Sequence, residues 1–257
     1  FRGDLVASIR ESLARYRIEY IPGAADRGDY DPTSTTIALS IGDMQSDLPQ
    51  HALHATFERY WAEFLTRRNR ANWNDYTPYE LRNVGAFARL GWRDRIDPLL
   101  EFFHGDRRPR AWNQWAEVVG REPRTPRFIG DMPHGWVASD YINAVLDLFA
   151  YERRADRALV LAAGIPGPWL EGEGIGITHL RTPYGALTYR LRRQAGELML
   201  EADGTAMPPG GFVLPWPYAG RPGRAMLDGQ ALHWEGDREL RIRTLPARVR
   251  IEVPGDP

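Results

Sequence analysis

The sequence predicts an α+β chain in two parts, a helical domain followed by an antiparallel β-sandwich. Up to about Gly164, apolar residues recur at helical spacing. Beyond that point, short apolar–polar alternations take over, punctuated by Gly and Pro. The 257 residues suffice for one large domain or two modest ones, and 43% hydrophobic with 26% charged residues is the balance of a folded chain. The expected division is helices over residues 1–166 and sheet over 167–257.

Leu5, Ile9, Leu13 and Tyr16 fall on one face of a first helix. Pro22 to Thr36, with Gly23, Gly28 and Pro32, reads as a loop. A helix over Gln50–Arg68 carries Leu53, Phe57, Tyr60, Trp61 and Phe64 as its buried stripe. Pro78 suits the first turn of a helix that runs to Leu90 and stops at Gly91. Further helices are expected over Arg93–Phe103, over Val137–Tyr151 with Ile142, Val145, Leu146 and Phe149 on one side, and over Ala155–Ala163. From Ile175 the period changes to two. Strands are expected around Ile175–Leu180, Leu187–Leu191, Leu198–Leu200 up to a turn at Asp203-Gly204, Leu240–Ile242 and Val249–Val253.

Composition excludes several chemistries. There is no cysteine, so neither a disulfide framework nor a thiolate metal site nor a cysteine nucleophile is available. All 33 cationic residues are arginine, which removes Schiff-base chemistry and a P-loop lysine. A formal net charge of −1 gives no basic field for nucleic acid, and runs such as Ala158–Ile165 are too short to span a bilayer. The three glycines of Glu171-Gly-Glu-Gly-Ile-Gly176 do not fit a dinucleotide fingerprint, and no Gly-x-Ser-x-Gly elbow is present. The absence of cysteine is compatible with cytoplasm and export alike.

The densest constellation runs from Trp112-Asn-Gln-Trp115-Ala-Glu117 to Phe128-Ile-Gly-Asp131-Met-Pro-His134-Gly-Trp136. Aromatic faces stack on the apolar side of a sugar, while carboxylates and amides hydrogen-bond to its hydroxyls. The same tryptophans also read as core anchors. Asp131 and His134 lack further ligands at metal spacing, so His134 is expected to be a hydrogen-bonding partner, with no metal or cofactor. A second polar–aromatic cluster, Asn72-Trp-Asn-Asp-Tyr-Thr-Pro-Tyr79-Glu80, lies at a helix start, where Glu80 reads as favouring the helix dipole. Asp26, Asp29 and Asp31 lack the EF-hand pattern.

Asp31-Pro-Thr-Ser-Thr-Thr-Ile-Ala-Leu39, Tyr76-Thr-Pro-Tyr-Glu-Leu81 and Ala86-Phe-Ala-Arg-Leu-Gly91 resemble the late hairpins of six-hairpin glycosidases. Met132-Pro-His134-Gly-Trp136-Val-Ala-Ser-Asp140-Tyr resembles their histidine-bearing entry into a late helix. Gly176-Ile-Thr-His-Leu-Arg-Thr-Pro-Tyr-Gly-Ala-Leu-Thr-Tyr189 resembles the opening of the β-sandwich that follows. The group is the (α/α)6-barrel glycoside hydrolases, in particular the α-L-rhamnosidase type, and the likeness covers roughly residues 2–200.

This resemblance implies a partial (α/α) toroid of helical hairpins followed by an antiparallel sandwich, from an inverting enzyme acting on a carbohydrate. It implies that Glu117 is the general base, with Asp131 and Glu122 as rivals, and that the acid lies on an N-terminal half of the parent that precedes Phe1. The opening Phe-Arg-Gly-Asp, without an initiator methionine, is expected on that view. Asp131 and Glu80 are the second choices for catalysis. Trp112, Trp115, His134 and Trp136 are expected to line the sugar pocket, and Asp31 and Tyr79 to contact sugar from neighbouring loops. A non-catalytic carbohydrate-binding or structural module and a polysaccharide lyase are the alternatives.

Overall fold

The computed structural model describes residues 1–69, 73–122 and 129–255. Asn72 and Phe128, members of the two aromatic clusters, lie outside the described residues. The chain combines helices with largely antiparallel sheets and divides into two units, Phe1–Val145 and Leu146–Pro257.

In the first unit, α1 (Arg2–Tyr16) turns Val6, Ile9 and Ser12 inward, about one residue around from the expected stripe, and Arg17 closes it in the left-handed conformation. The expected loop Pro22–Thr36 is cut short, because α2 (Pro32–Leu39) begins inside it. Asp31 at the N-cap with Pro32 following is a helix start in its own right. α3 (Gln50–Asn69) buries Leu53, Phe57, Tyr60 and Phe64, as its periodicity predicts, while Trp61 of the expected stripe is half-buried. After β1 (Asp75–Tyr76), Thr77 caps a 3-10 turn, Pro78–Leu81, that runs directly into α4 (Arg82–Leu90). Gly91 ends α4 at φ 73°, where a residue without Cβ is favoured. α5 (Ile96–Gly105) follows a further 3-10 turn, and β2 (Val119–Gly120) pairs antiparallel with β1.

α6 (Gly135–Phe149) faces differently from expectation. Ile142 and Leu146 are 57% and 36% exposed, whereas Val137, Asp140, Ala144 and Asp147 are buried. Asp140 meets Arg82 of α4 at 2.7 Å, and that ion pair fixes which face turns inward. Apolar counting along the helix cannot register such a partner.

The core of this unit is aromatic, with Phe57, Tyr60, Phe64, Phe87 and Phe103 fully buried. Edge-to-face contacts such as Phe57–Phe87 at 6.2 Å and Phe64–Phe102 at 5.4 Å order it. Within that core Glu80 is held by ion-pair and hydrogen-bond partners. Arg67 of α3 donates from Nη1 to Glu80 Oε2 (2.7 Å) and from Nη2 to Oε1 (2.9 Å), and the Tyr60 hydroxyl donates to Oε2 (3.0 Å).

The second unit carries two sheets. In the hairpin of β3 (Ala150–Arg153) and β4 (Ala158–Leu161), β3 takes the last two residues of the helix expected over Val137–Tyr151, and β4 lies where a helix over Ala155–Ala163 is expected. All four residues of β4 are buried, so the run shows no period, and periodicity alone does not separate such a strand from a buried helix. This hairpin is also why the units divide near Val145 and not near residue 166.

β5 (Ile175–Thr182), β6 (Gly185–Gln194), β7 (Glu197–Gly204), β8 (Phe212–Pro215), β9 (Ala225–Leu227), β10 (Gln230–Leu232), β11 (Trp234–Glu235), β12 (Glu239–Ile242) and β13 (Ala247–Glu252) follow. The first sheet has the order β10-β9-β13-β7-β6-β5 and the second β11-β12-β8-β4-β3. All neighbours are antiparallel except β4 and β8, which are parallel. β7 ends at Gly204, as the Asp-Gly signal predicts, and β13 alternates buried and exposed residues throughout. Ala195-Gly196, both at positive φ, form the tight β6–β7 turn.

Asp156 ties the second sheet together. Arg153 donates to Asp156 (2.8 and 3.0 Å) and to both oxygens of Glu239 (2.7 and 2.9 Å), and Arg241 reaches Asp156 at 3.0 Å. Burial alone would raise the Asp156 pKa, but hydrogen bonds from the two guanidiniums pull it down to about 2.

Two outcomes follow from these charge clusters. Arg67→Met strands a buried carboxylate and should lower the unfolding free energy in urea by about 3–5 kcal/mol, most of which Arg67→Met with Glu80→Leu should restore. Asp156 is acidic when folded and ordinary when unfolded, so its contribution is complete above about pH 4 and is lost as pH falls towards 2. Asp156→Asn should flatten that acid limb in circular-dichroism melts taken across the same range.

Candidate functional site

Three segments of the helical unit meet around residues 115–117. On one side Thr77 Oγ1 donates to the Glu117 carbonyl at 2.7 Å, and Arg121 N donates to Asn74 O at 2.8 Å. On the other, Glu117 N donates to Asp131 O (3.0 Å) and His134 N donates to Trp115 O (3.1 Å). Gly130 lets the second approach happen. It sits at φ 66°, and a Cβ there would lie 2.9 Å from Val118 N. Both expected clusters, around residues 73–80 and 112–136, are thereby brought together.

His134 immediately precedes α6, and its ring is held at both nitrogens. Asp131 Oδ2 lies 3.4 Å from Nδ1, and the Tyr79 hydroxyl lies 2.6 Å from Nε2. A carboxylate accepts from Nδ1–H, and in the neutral ring Nε2 is then the acceptor that faces the Tyr79 hydroxyl. Arg82 stacks over the Tyr79 ring with its Cζ 4.4 Å from the centroid, while its Nε faces Asp140. Burial raises the Tyr79 pKa; Arg82 opposes this, and the charges of Glu117, Asp140 and Asp131 add to it. The phenol therefore stays protonated and serves as a donor.

Glu117 is half-buried, and among the described residues its carboxylate has no hydrogen-bond or ion-pair partner. Asp131 is exposed beyond its contact with His134. Trp136 is 72% exposed, with its ring 6.0 Å from that of His134. A free carboxylate, an oriented imidazole–phenol pair and an open indole share this locality.

The remaining candidates lie elsewhere. Trp115 is a core residue: it is buried, donates from Nε1 to Phe103 O at 2.9 Å, and packs with His104 and Tyr141. Its ring is not available to a ligand, which corrects the expectation that it lines the pocket. Trp112 is 59% exposed on a 3-10 turn, without a ring contact to the His134 cluster. Asp31 is the cap of α2, and its two oxygens accept from Thr33 and Ser34. Burial pushes its pKa up, but those hydrogen bonds leave it lowered. Glu80 is buried against Arg67 and Tyr60, and burial raises its pKa against their pull. The dipole role expected for it is thus secondary to the ion pair, while Thr77 provides the cap. Glu122 is solvent-facing beside Arg121.

Sequence reasoning missed Arg82 and gave no role to Asp140 or Thr77. Arg82 follows Tyr79 at helical spacing, a usable signal, but nothing local links it to Asp140. Among the described residues no group of three or more His, Asp or Glu side chains could hold a metal ion, and no helix is long and apolar enough to cross a membrane.

Gly130→Ala should cost clearly more stability than Gly91→Ala. Both enter the left-handed region, at roughly 1–2 kcal/mol, but only Gly130 also meets a backbone atom. Thermal unfolding of the two variants, with near-ultraviolet circular dichroism reading the clustered aromatics, measures the difference. No protein-family model, curated protein or solved structure matches this chain.

Proposed function

We propose that the helical unit holds the base side of an inverting glycoside hydrolase site that cleaves O-glycosidic bonds of a carbohydrate. The carrying observation is the Glu117 carboxylate, half-buried and without a partner among the described residues, beside the Asp131–His134–Tyr79 chain. Glu117 takes the proton of the attacking water. His134 orients the Tyr79 phenol, whose oxygen accepts from a sugar hydroxyl, and Trp136 offers a stacking face. Asp131 orients His134 and is the second choice for the base. An inverting mechanism needs a second carboxyl roughly 6.5–9.5 Å away to protonate the leaving oxygen. In this proposal that acid belongs to an N-terminal half of the parent. The reading of the helices as hairpins of a partial (α/α)6 toroid, and of the two sheets as a sandwich, belongs to the same proposal.

The Tyr79–His134 contact at 2.6 Å with Arg82 alongside favours a second reading, polysaccharide lyase. There, proton abstraction next to a uronate carboxylate requires a base and a neutralising cation.

The test uses the full-length protein carrying this chain, assayed on neutral aryl glycosides and on a uronate polymer. Glu117→Gln should lower glycoside turnover by about 10²–10⁴-fold while sugar binding persists. Unsaturated, ultraviolet-absorbing products from the uronate polymer, lost in Tyr79→Phe, would replace hydrolase with lyase. Binding without turnover on either substrate would leave a carbohydrate-binding module.

A further inference from the structure

A groove of about 570 Å³ crosses the six-stranded sheet of the second unit, lined by residues of β5, β6, β7 and β13 together with Glu173, Gly174 and Pro246. Its shape originates in β5. The ladder between β5 and β6 slips between Ile177 and Leu180, leaving a bulge at which His179 adopts φ 54° and donates its N–H to Thr188 Oγ1. Bulges bend a strand and recur beside binding sites. Just before the bulge, Gly174 and Gly176 lie so close to the β6 backbone that a Cβ would come within 2.3 Å of Leu191 O and 3.1 Å of Tyr189 O. At those two positions the β5 backbone therefore lies directly against β6.

The polar floor is set by register. Arg190 of β6, Glu201 of β7 and Arg248 of β13 stand directly opposite one another, and Thr188 stands opposite Asp203. Adjacent opposite charges on a sheet ordinarily pair. Here they do not: Arg190 turns back onto the Glu173 carbonyl (2.9 and 3.1 Å) and its carboxylate. Among the described residues, Glu201 has no ion-pair partner and the Arg248 guanidinium has none. Glu201 as acceptor and Arg248 as donor, on neighbouring strands about 4.7–4.9 Å apart, thus remain open to a ligand, and Asp203 adds a second acceptor with one oxygen engaged by Gly204 N.

We infer that this groove binds a neutral oligosaccharide. A hydroxyl both donates and accepts, so one pyranose ring satisfies Glu201 and Asp203 as acceptors and Arg248 as donor at once. Charge argues for neutrality, because a polyanion meets Glu173, Glu201 and Asp203, and a polycation meets Arg190 and Arg248. A single-stranded nucleic acid would also lack an aromatic platform, since Tyr189 is buried. The inference concerns a site separate from the Glu117 cluster and stands whether or not that cluster cleaves sugar.

Amide NMR titration of the chain tests it, with cellohexaose, maltohexaose and xylohexaose as probes and hexagalacturonate and a chitosan hexamer as charged controls. The expected result is saturable shifts at residues 174–178, 188–190, 201–203 and 247–248 with at least one neutral probe. Glu201→Ala and Arg248→Ala should each weaken that affinity about tenfold. Glu197→Ala, on the same sheet outside the groove, should not. Absence of groove shifts with every neutral probe, shifts with the charged probes alone, or unchanged affinity in both groove variants would overturn the inference. Failure of glycosidase activity in the parent would leave these readouts untouched.

Discussion

The helical unit depends on the buried pairing of Glu80 with Arg67 and Tyr60. A carboxylate removed from water is tolerated only if its oxygens are satisfied, and here three donors satisfy them. The donors come from α3 and the acceptor from the turn before α4, so the pair fixes that turn against the longest helix of the unit. Tyr79 precedes Glu80, and its placement against His134 follows from that anchorage. The neighbouring Thr36–Asn83 hydrogen bond, at 2.7 Å, joins α2 to α4 in the same way.

Arginine suits this role in a way that lysine would not. A planar guanidinium spans both oxygens of a carboxylate, as Arg67 and Arg153 do, and also lies flat on an aromatic ring. Arg59 over Tyr30 at 3.8 Å, Arg95 over Trp92 at 4.1 Å and Arg82 over Tyr79 are instances. The all-arginine composition, which at first only excluded mechanisms, thus supplies the cations that order the aromatic interior.

The parts of this architecture legible in the sequence are those set by local rules. The α3 stripe, the Gly91 stop, the β7 end at Gly204 and the alternation of β13 follow from period and turn chemistry. What escaped was set by partners distant in sequence. Ala158–Leu161 is a strand because it pairs with β3 and β8, and its burial on both faces leaves a continuous apolar run that does not disclose this. α6 faces Asp140 inward because Arg82 waits there. Among the site candidates, the union of Tyr79 with His134 depends on hydrogen bonds to the backbone between segments about 40 and 15 residues apart. Trp115 and Trp136 look alike as letters, yet one anchors a core and the other stands in solvent.

The bulge in β5 has one more consequence. β5 is an outer strand of its sheet, and an eight-residue outer strand with free amides and carbonyls is a template on which another chain can extend. The slip at Ile177–Leu180 and the left-handed His179 break the straight run of the strand, and the exposed Arg181 adds charge. An incoming strand therefore finds only short stretches in register. The same irregularity that hollows the sheet face limits how far the sheet can grow from one molecule to the next.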